Sequence, residues 1–422
     1  MKKNHMIVWL IMVIFFVVSF LTNIIGPLLP EAKIDFHLSL AQAGLLPFAF
    51  FIAYAVSIPA GYLIEKTNEK TVMITACVIC SFGSLLFGFF PTYPVFITSL
   101  FIMGAGVAFL QTAMWPLLRT AGGEENYSFY SVLSQIFFGT ASFISPLVYS
   151  YIVINLPLHP KSNIFLLTLS ELVSKYMAWA SMYWIFGVVS ILLIILIAVI
   201  KFPKVELKED EKVEGFKTVL YLLKNKTVLI FFFGIFAYVG TEQGLSDWIS
   251  KFLSTYHGYA PNTVGAQTIA VFWALQGIGS ILGILLLKLY DVKKVLTVFL
   301  ILQLIALSFA LFGTAEVSVV SFTICGFLTS LMYGSVFSLG LNSLSKHHGS
   351  FSGIMCTGII GGAVVPFLIG ALGDITSLRI GMLLIYLTIL FMLYIAITAK
   401  PLVNNKTVRL RDLFKKEKKG IA

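Results

Sequence analysis

Charge is what this chain has least of. Only 11% of its 422 residues are Asp, Glu, Lys or Arg, against 58% hydrophobic, and the mean hydropathy is +0.94. Soluble domains carry about 25% charged and roughly 45–50% apolar residues, so a soluble globule is excluded. No H-E-x-x-H run, no metal-spaced His/Asp cluster and no pair of intramembrane acids occurs, which argues against an enzyme and against a metal site. No G-x-x-x-x-G-K-[ST] loop occurs either, so ATP-driven pumping has no support, and no cofactor is called for. Cysteine is scarce: Cys77, Cys80, Cys325 and Cys356 all lie in apolar runs. Cys77-x-x-Cys80 therefore reads as two small packing residues in a lipid-embedded helix rather than a redox pair. The opening MKKNH and the apolar run behind it lack an A-x-A-like cleavage site, so the run reads as a retained span.

What is present is a series of long apolar runs. A span needs about 20 apolar residues to cross a ~30 Å hydrocarbon core. Cutting at charges, Pro and Gly predicts spans near 6–29, 40–64, 71–90, 95–118, 129–154 and 177–200, then 227–252, 262–287, 294–312, 317–345, 350–373 and 379–399. The fold class is an all-α membrane protein of twelve transmembrane helices.

The net charge of +10 is not gathered on one domain, so no nucleic-acid partner is implied. Lys and Arg recur in short clusters between spans, which encodes topology. With a cytoplasmic N-terminus, 24 basic residues fall on one side and five (Lys33, Lys161, Lys175, Lys251 and Arg379) on the other. Both ends are therefore expected on the cytoplasmic side of the cell membrane. The domains read as a bundle over 1–200, a cytoplasmic linker over 201–226, a second bundle over 227–400 and a basic tail over 401–422. FKTVLYLLKNK at the linker's end fits a short amphipathic surface helix or a solvated linker.

The halves repeat at an offset of about 220 positions. The first span begins near Met6 and the seventh near Lys226; Pro146 answers Pro366, and GYLIEK at Gly61–Lys66 answers GILLLK at Gly283–Lys288. Two six-helix pseudo-symmetric bundles related this way mark a transporter that rocks around a central cavity.

A carboxylate at membrane depth is costly and tends to have a task. Glu242 and Asp247 are the acids inside an apolar run, in FFFGIFAYVGTEQGLSDWISKFL. Glu242 is the proton-coupling candidate or a structural carboxyl bonded near Gly240 and Gly244; Asp247 is a solvated helix end or gate. His347 and His348 fall in a basic-side loop and are expected to have no acidic partner nearby. The glycines from Gly353 to Gly373 permit close helix approach and bending at Pro366.

Gly61-Tyr-Leu-Ile-Glu65-Lys66-Thr-Asn68-Glu-Lys70 resembles the G-x-L-x-D-[RK]-x-G-x-[RK] loop of the major facilitator superfamily, with Glu for Asp and Asn for the second Gly. The resemblance implies the major facilitator fold, and implies that Gly61, Glu65, Lys66 and Lys70 form a cytoplasmic gating loop. GPLLPEAKIDFHLSLAQAGLLPFAFFIAYAVSIPAG, YMAWASMYWIFGVVS, AYVGTEQGLSDWISKFL and VFSLGLNSLSKHHGSFSGIMCTGIIGGAVVPFLIGALGD resemble the superfamily's fucose/glucose/galactose symporter branch. Departures from that branch are specific. Its first-span Asp, fourth-span Glu and eighth-span Arg correspond here to Gly26, Gln111 and Ser280. Proton coupling by the branch's usual residues is thus unsupported, while Glu242 stands where the branch has Y-V-G-A-E.

In that fold the cavity-facing spans would carry Asn23, Gln111, Gln135, Gln243, Gln276 and Asn342, a set that suits a neutral hydroxyl-rich solute, with helix pairing as the competing role. Trp115 and Trp273 would offer flat faces to a sugar. The reading is a secondary or facilitative transporter working by alternating access on a sugar or similar polyhydroxylated small molecule, with H+ or Na+ as candidate coupling ion and the bilayer as its setting, as a monomer. An exporter of drugs or metabolites is the alternative; a non-transporting sensor or an enzyme comes last.

Overall fold

The structure is a computed structural model that describes residues 4–38, 40–158, 163–173, 175–202, 216–259 and 264–407. Among the described residues, twelve helices are long and apolar enough to cross a bilayer. They are His5–Asn23, Leu45–Lys66, Glu69–Phe89, Tyr93–Gly122, Glu124–Asn155 and Met177–Val199, then Lys226–Ser246, Gln267–Leu289, Val292–Phe312, Ala315–Leu341, His348–Ile375 and Leu378–Thr398, numbered spans 1–12 below. Spans 3, 4 and 6 pack together, as do spans 1 and 5, and the equivalent groups in the second half are spans 9, 10 and 12 and spans 7 and 11. Across the halves, span 2 lies on span 11 and span 5 on spans 8 and 10. This is the two-bundle architecture, helical because lipid offers the backbone no hydrogen-bond partners.

The repeat is visible in the caps. Asn68 accepts from Thr71 N at 2.8 Å to start span 3, and Asp291 accepts from Lys293 N at 2.9 Å to start span 9. Lys70 Nζ donates to the carbonyls of Ala198 and Ile200 at 2.7 and 2.9 Å, closing the end of span 6. Lys293 Nζ donates to Ala399 O at 2.5 Å and closes span 12 in the same way. Each ammonium meets orphan carbonyls at the negative end of a helix dipole.

Several spans are interrupted where one continuous run was expected. The first helix ends at Asn23 and a second runs Ile25–Asp35, because Pro27 has no N–H to give the carbonyl four residues back. Spans 2 and 11 each tighten into a 3-10 turn, Ala53–Val56 and Gly358–Ile360, and the two turns touch. The seventh span stops at Ser246, and Asp247 is an exposed residue at the turn before Ile249–His257 rather than a residue inside the run. Span 4 reaches Gly122, so Arg119, expected in a loop, is buried in the last turn of a helix.

The linker's Phe216–Lys224 is helical, with Val219 and Leu222 buried and Leu220 and Tyr221 exposed, and it packs against spans 7, 11 and 2. Residues 203–215 of the linker, 408–422 of the tail, the surroundings of Gly26 and the side chains of Pro30 and Pro146 lie outside what the structure describes.

Candidate functional site

Glu242 sits one turn before the end of span 7, and Tyr238, one turn earlier on the same face, donates from Oη to Glu242 Oε1 at 2.5 Å. Gln276 of span 8 reaches the same oxygen from Nε2 at 2.5 Å and lies 3.3 Å from Tyr238 Oη. Among the described residues no Lys, Arg or His contacts the carboxyl. Gln276 Oε1 is buried and, among the described residues, without a partner. The site is therefore a carboxyl held by the neutral side chains of Tyr238, Gln276 and Gln243, beside an amide acceptor left open.

Aromatic rings carry this cluster across to the other bundle. Tyr238 meets Tyr333 of span 10 edge-on, with centroids 5.4 Å apart. Tyr333 lies against Trp115 of span 4 at 5.4 Å, and Trp115 stacks on Phe337 at 4.5 Å and abuts Phe15 of span 1 at 4.9 Å. Trp115 is fully buried, with one face of its ring covered by Phe337. The Tyr333 hydroxyl and Trp115 Nε1 are both buried and face each other. Tyr238, Tyr333 and Phe337 were not singled out from sequence, since one aromatic in a lipid-embedded helix looks like any other.

The remaining expected residues are scattered by the fold. Gln111 is buried in span 4. Gln135 is half-buried in span 5, and Trp273 is half-buried with its ring edge-on to Phe272 at 5.4 Å. Gln243 packs its stem against Gly362 of span 11. Asn23 donates from Nδ2 to Ser19 O at 3.0 Å and Ser142 Oγ at 2.9 Å, which pins span 1 to span 5. The Ser280 hydroxyl shares its proton between Gln276 O and Ser330 O at 3.0 and 3.2 Å, tying span 8 to span 10 where its helix is interrupted between Thr329 and Met332. Asn342 lies away from the cluster, at the end that carries the basic loops, where its Oδ1 accepts from Arg119 Nε at 3.0 Å.

That basic end is closed by contacts between bundles. Glu65 accepts from Ser350 N at 2.8 Å and Ser350 Oγ at 2.7 Å, so a carboxylate of span 2 caps the first turn of span 11. His347 Nδ1 stands 3.7 Å from Glu65 Oε2, which corrects the expectation that this histidine has no acid nearby. Gly61 and Gly353 let the helices touch backbone to backbone. A Cβ on Gly61 would meet Gly349 O at 2.5 Å, and one on Gly353 would meet Ser57 O at 2.3 Å. Ser352 Oγ donates to Thr112 O at 2.9 Å, and Arg119 also pairs with Glu124 at 3.0 Å. Lys66 is exposed, and Lys70 serves span 6 of its own bundle rather than the interface.

Two six-helix bundles, shut at one end and with the Glu242 carboxyl held by neutral groups, define a membrane carrier. Residues 11–359 match the Major Facilitator Superfamily, and the chain belongs to that family. Among curated proteins it is 28% identical over 377 residues to a glucose/galactose transporter of Brucella abortus, covering 88% of each chain. It is 26% identical over 379 residues to the L-fucose-proton symporter of Escherichia coli, covering 86% of this chain and 85% of that one. In fold it is similar to a crystal structure of a variant of the E. coli fucose:proton symporter, with TM-score 0.82, 23% identity and coverage of 94% and 100%. It is also similar to a superfamily transporter in the outward conformation, with TM-score 0.80, 24% identity and coverage of 93% and 98%.

Proposed function

We propose that this superfamily transporter moves a neutral sugar across the cell membrane, both termini cytoplasmic, with Glu242 as the group that couples transport to protons. The names of the relatives support the solute class, and the distribution of Lys and Arg supports the orientation. One observation carries the coupling assignment. Glu242 is an intramembrane carboxyl bonded only to neutral donors, while the branch's usual acids correspond to Gly26 and Gln111. A carboxyl with no cation beside it can gain and lose a proton without breaking an ion pair. Tyr238, Gln276, Tyr333 and Trp115 complete the solute site, as donors and acceptors that a sugar's hydroxyls can meet once the bundles part.

Reconstituted protein in liposomes tests this with D-glucose, D-galactose and L-fucose, with and without a proton or Na+ gradient. Proton-driven accumulation of one of them is expected, and Glu242→Gln is expected to abolish accumulation while leaving counterflow exchange. Accumulation that persists in Glu242→Gln removes the carboxyl from coupling, and accumulation driven by Na+ alone replaces the proton with the metal ion.

A further inference from the structure

We propose that Gln276 reads the protonation state of Glu242 and passes it to the solute by turning its amide. The inference rests on Glu242 as the coupling group and adds a positioning role for its neighbour. An ionised carboxylate can only accept hydrogen bonds, and the amide of Gln276 offers it the Nε2 donor. That orientation leaves Oε1 buried and, among the described residues, without a partner. A buried acceptor lacking a donor is costly, which makes Oε1 a slot for a hydroxyl proton of the solute. The atom has no accessible surface while the site is closed, so the solute meets it when the bundles separate.

Protonation inverts the arrangement. Glu242 then has an O–H to donate, and the group it needs opposite is an acceptor. Half a turn of the Gln276 amide supplies Oε1 to Glu242 and puts Nε2 in the slot, at nearly unchanged shape. The slot switches from acceptor to donor as the proton arrives, and a solute hydroxyl held by its other contacts fits one state better than the other. No bond is made or broken beyond the transfer of the coupling proton to the carboxylate.

Few other groups can compete for this role. On its own helix Glu242 faces Tyr238, with Asp247 exposed beyond it. From the packed spans it is approached by Tyr333 of span 10, through the Tyr238 ring. Lys288, Glu316, His348, Asp374 and Arg379 stand in the first or last turns of spans 8, 10, 11 and 12. Tyr386 of span 12 is bonded to Ser308. Cys325 and Cys356 do not bear on the carboxyl.

The test is calorimetric binding of D-glucose, D-galactose and L-fucose to the purified full chain from mildly acidic to mildly alkaline pH. Infrared spectroscopy follows the carboxyl band that Glu242→Gln removes. Wild-type affinity is expected to change about fivefold to tenfold over the titration, the worth of one hydrogen bond. In Gln276→Met, similar in length and without polar atoms, affinity should no longer depend on pH while the Glu242 band still titrates. Should Gln276→Met fail to fold, Gln276→Asn, whose amide is one methylene short, decides in the same way. Full wild-type pH dependence in either variant overturns the switch and leaves Glu242 in place. Wild-type affinity that ignores pH, or pH dependence that survives Glu242→Gln, sinks the coupling reading and the switch with it. Binding of none of the three sugars sinks the proposed solute class and, with it, the slot.

Discussion

The basic end is closed along two lines of contact that the repeat makes equivalent, yet their chemistry differs. Where span 2 meets span 11, glycine backbones touch and Glu65 caps the partner helix. Where spans 8 and 10 meet span 5, Lys288 of span 8 lies 4.2 Å over the Phe129 ring. There Ser128 and Ser338 share a hydroxyl bond at 3.0 Å, and Gly334 rests on the backbone at Ser131. The second line also has a strap. Leu402 N donates to Asn342 O at 2.7 Å, Asn405 bonds Val292 N, Leu287 O and Tyr290 O at 3.1 Å each, and Lys406 N donates to Glu125 O of the other half at 2.9 Å. By contrast, the caps inside each bundle are matched, Asn68 with Asp291 and Lys70 with Lys293. Contacts that hold a bundle together are kept in both copies, because every span must end its helix somewhere. Contacts that must break in each cycle have diverged, and only one line uses a carboxylate against a helix N-terminus.

That asymmetry can be broken piece by piece, with maleimide labelling of a Ser338→Cys probe as the measure of opening. Gly353→Val should do most damage, since even its Cβ runs into the backbone at Ser57 and Gly61. Overpacking of this kind costs roughly 1–3 kcal/mol or more, so labelling should rise about tenfold or above and sugar uptake should fall with it. Labelling no faster than in the parent would mean that the glycines are not what sets the approach. Glu65→Gln keeps the shape and loses the charge, and an effect of about 1–2 kcal/mol, roughly fivefold to thirtyfold in the open fraction, is expected. A smaller change than for Lys288→Met would reverse the order of the two lines, because a cation over a ring is worth only about 0.5–1 kcal/mol. Asn405→Ala should free the strap, read as faster amide exchange at Leu402 and Lys406. Lys406→Ala, which removes an exposed pair with Glu125 at 3.5 Å, should leave labelling unchanged at physiological salt.

Much of the fold was legible before any coordinates. A helix in lipid satisfies its own backbone, so each span is a local event that a run of apolar residues and its basic flanks announce. Glu242 stood out for the same reason, as a carboxylate where the solvent penalises charge. The interruptions were harder to place: Pro27 marks the break after Asn23, but the tightening at Ala53–Val56 and Gly358–Ile360 depends on two spans pressing together. Arg119 was hidden because a basic residue just past an apolar run resembles a topology signal, whether it faces water or reaches across to Asn342. The amides could be listed but not sorted, and the structure sends Gln276 to Glu242, Asn23 to Ser142 and Asn342 to the basic end.

From the order of its residues alone, this chain is a twelve-span, two-bundle carrier with two acids, Glu242 and Asp247, inside an apolar run, since hydrophobic length, charge placement and repetition are each read within a few turns of helix. Which side chains share a site was decided only by tertiary packing. Residues such as Trp115, Tyr238, Gln276 and Tyr333 lie far apart along the chain, and their rotation about each helix axis is set by the neighbours they press against. Burial of a ring or an amide against the other bundle leaves no mark in the local pattern, because lipid and protein interior select the same apolar alphabet.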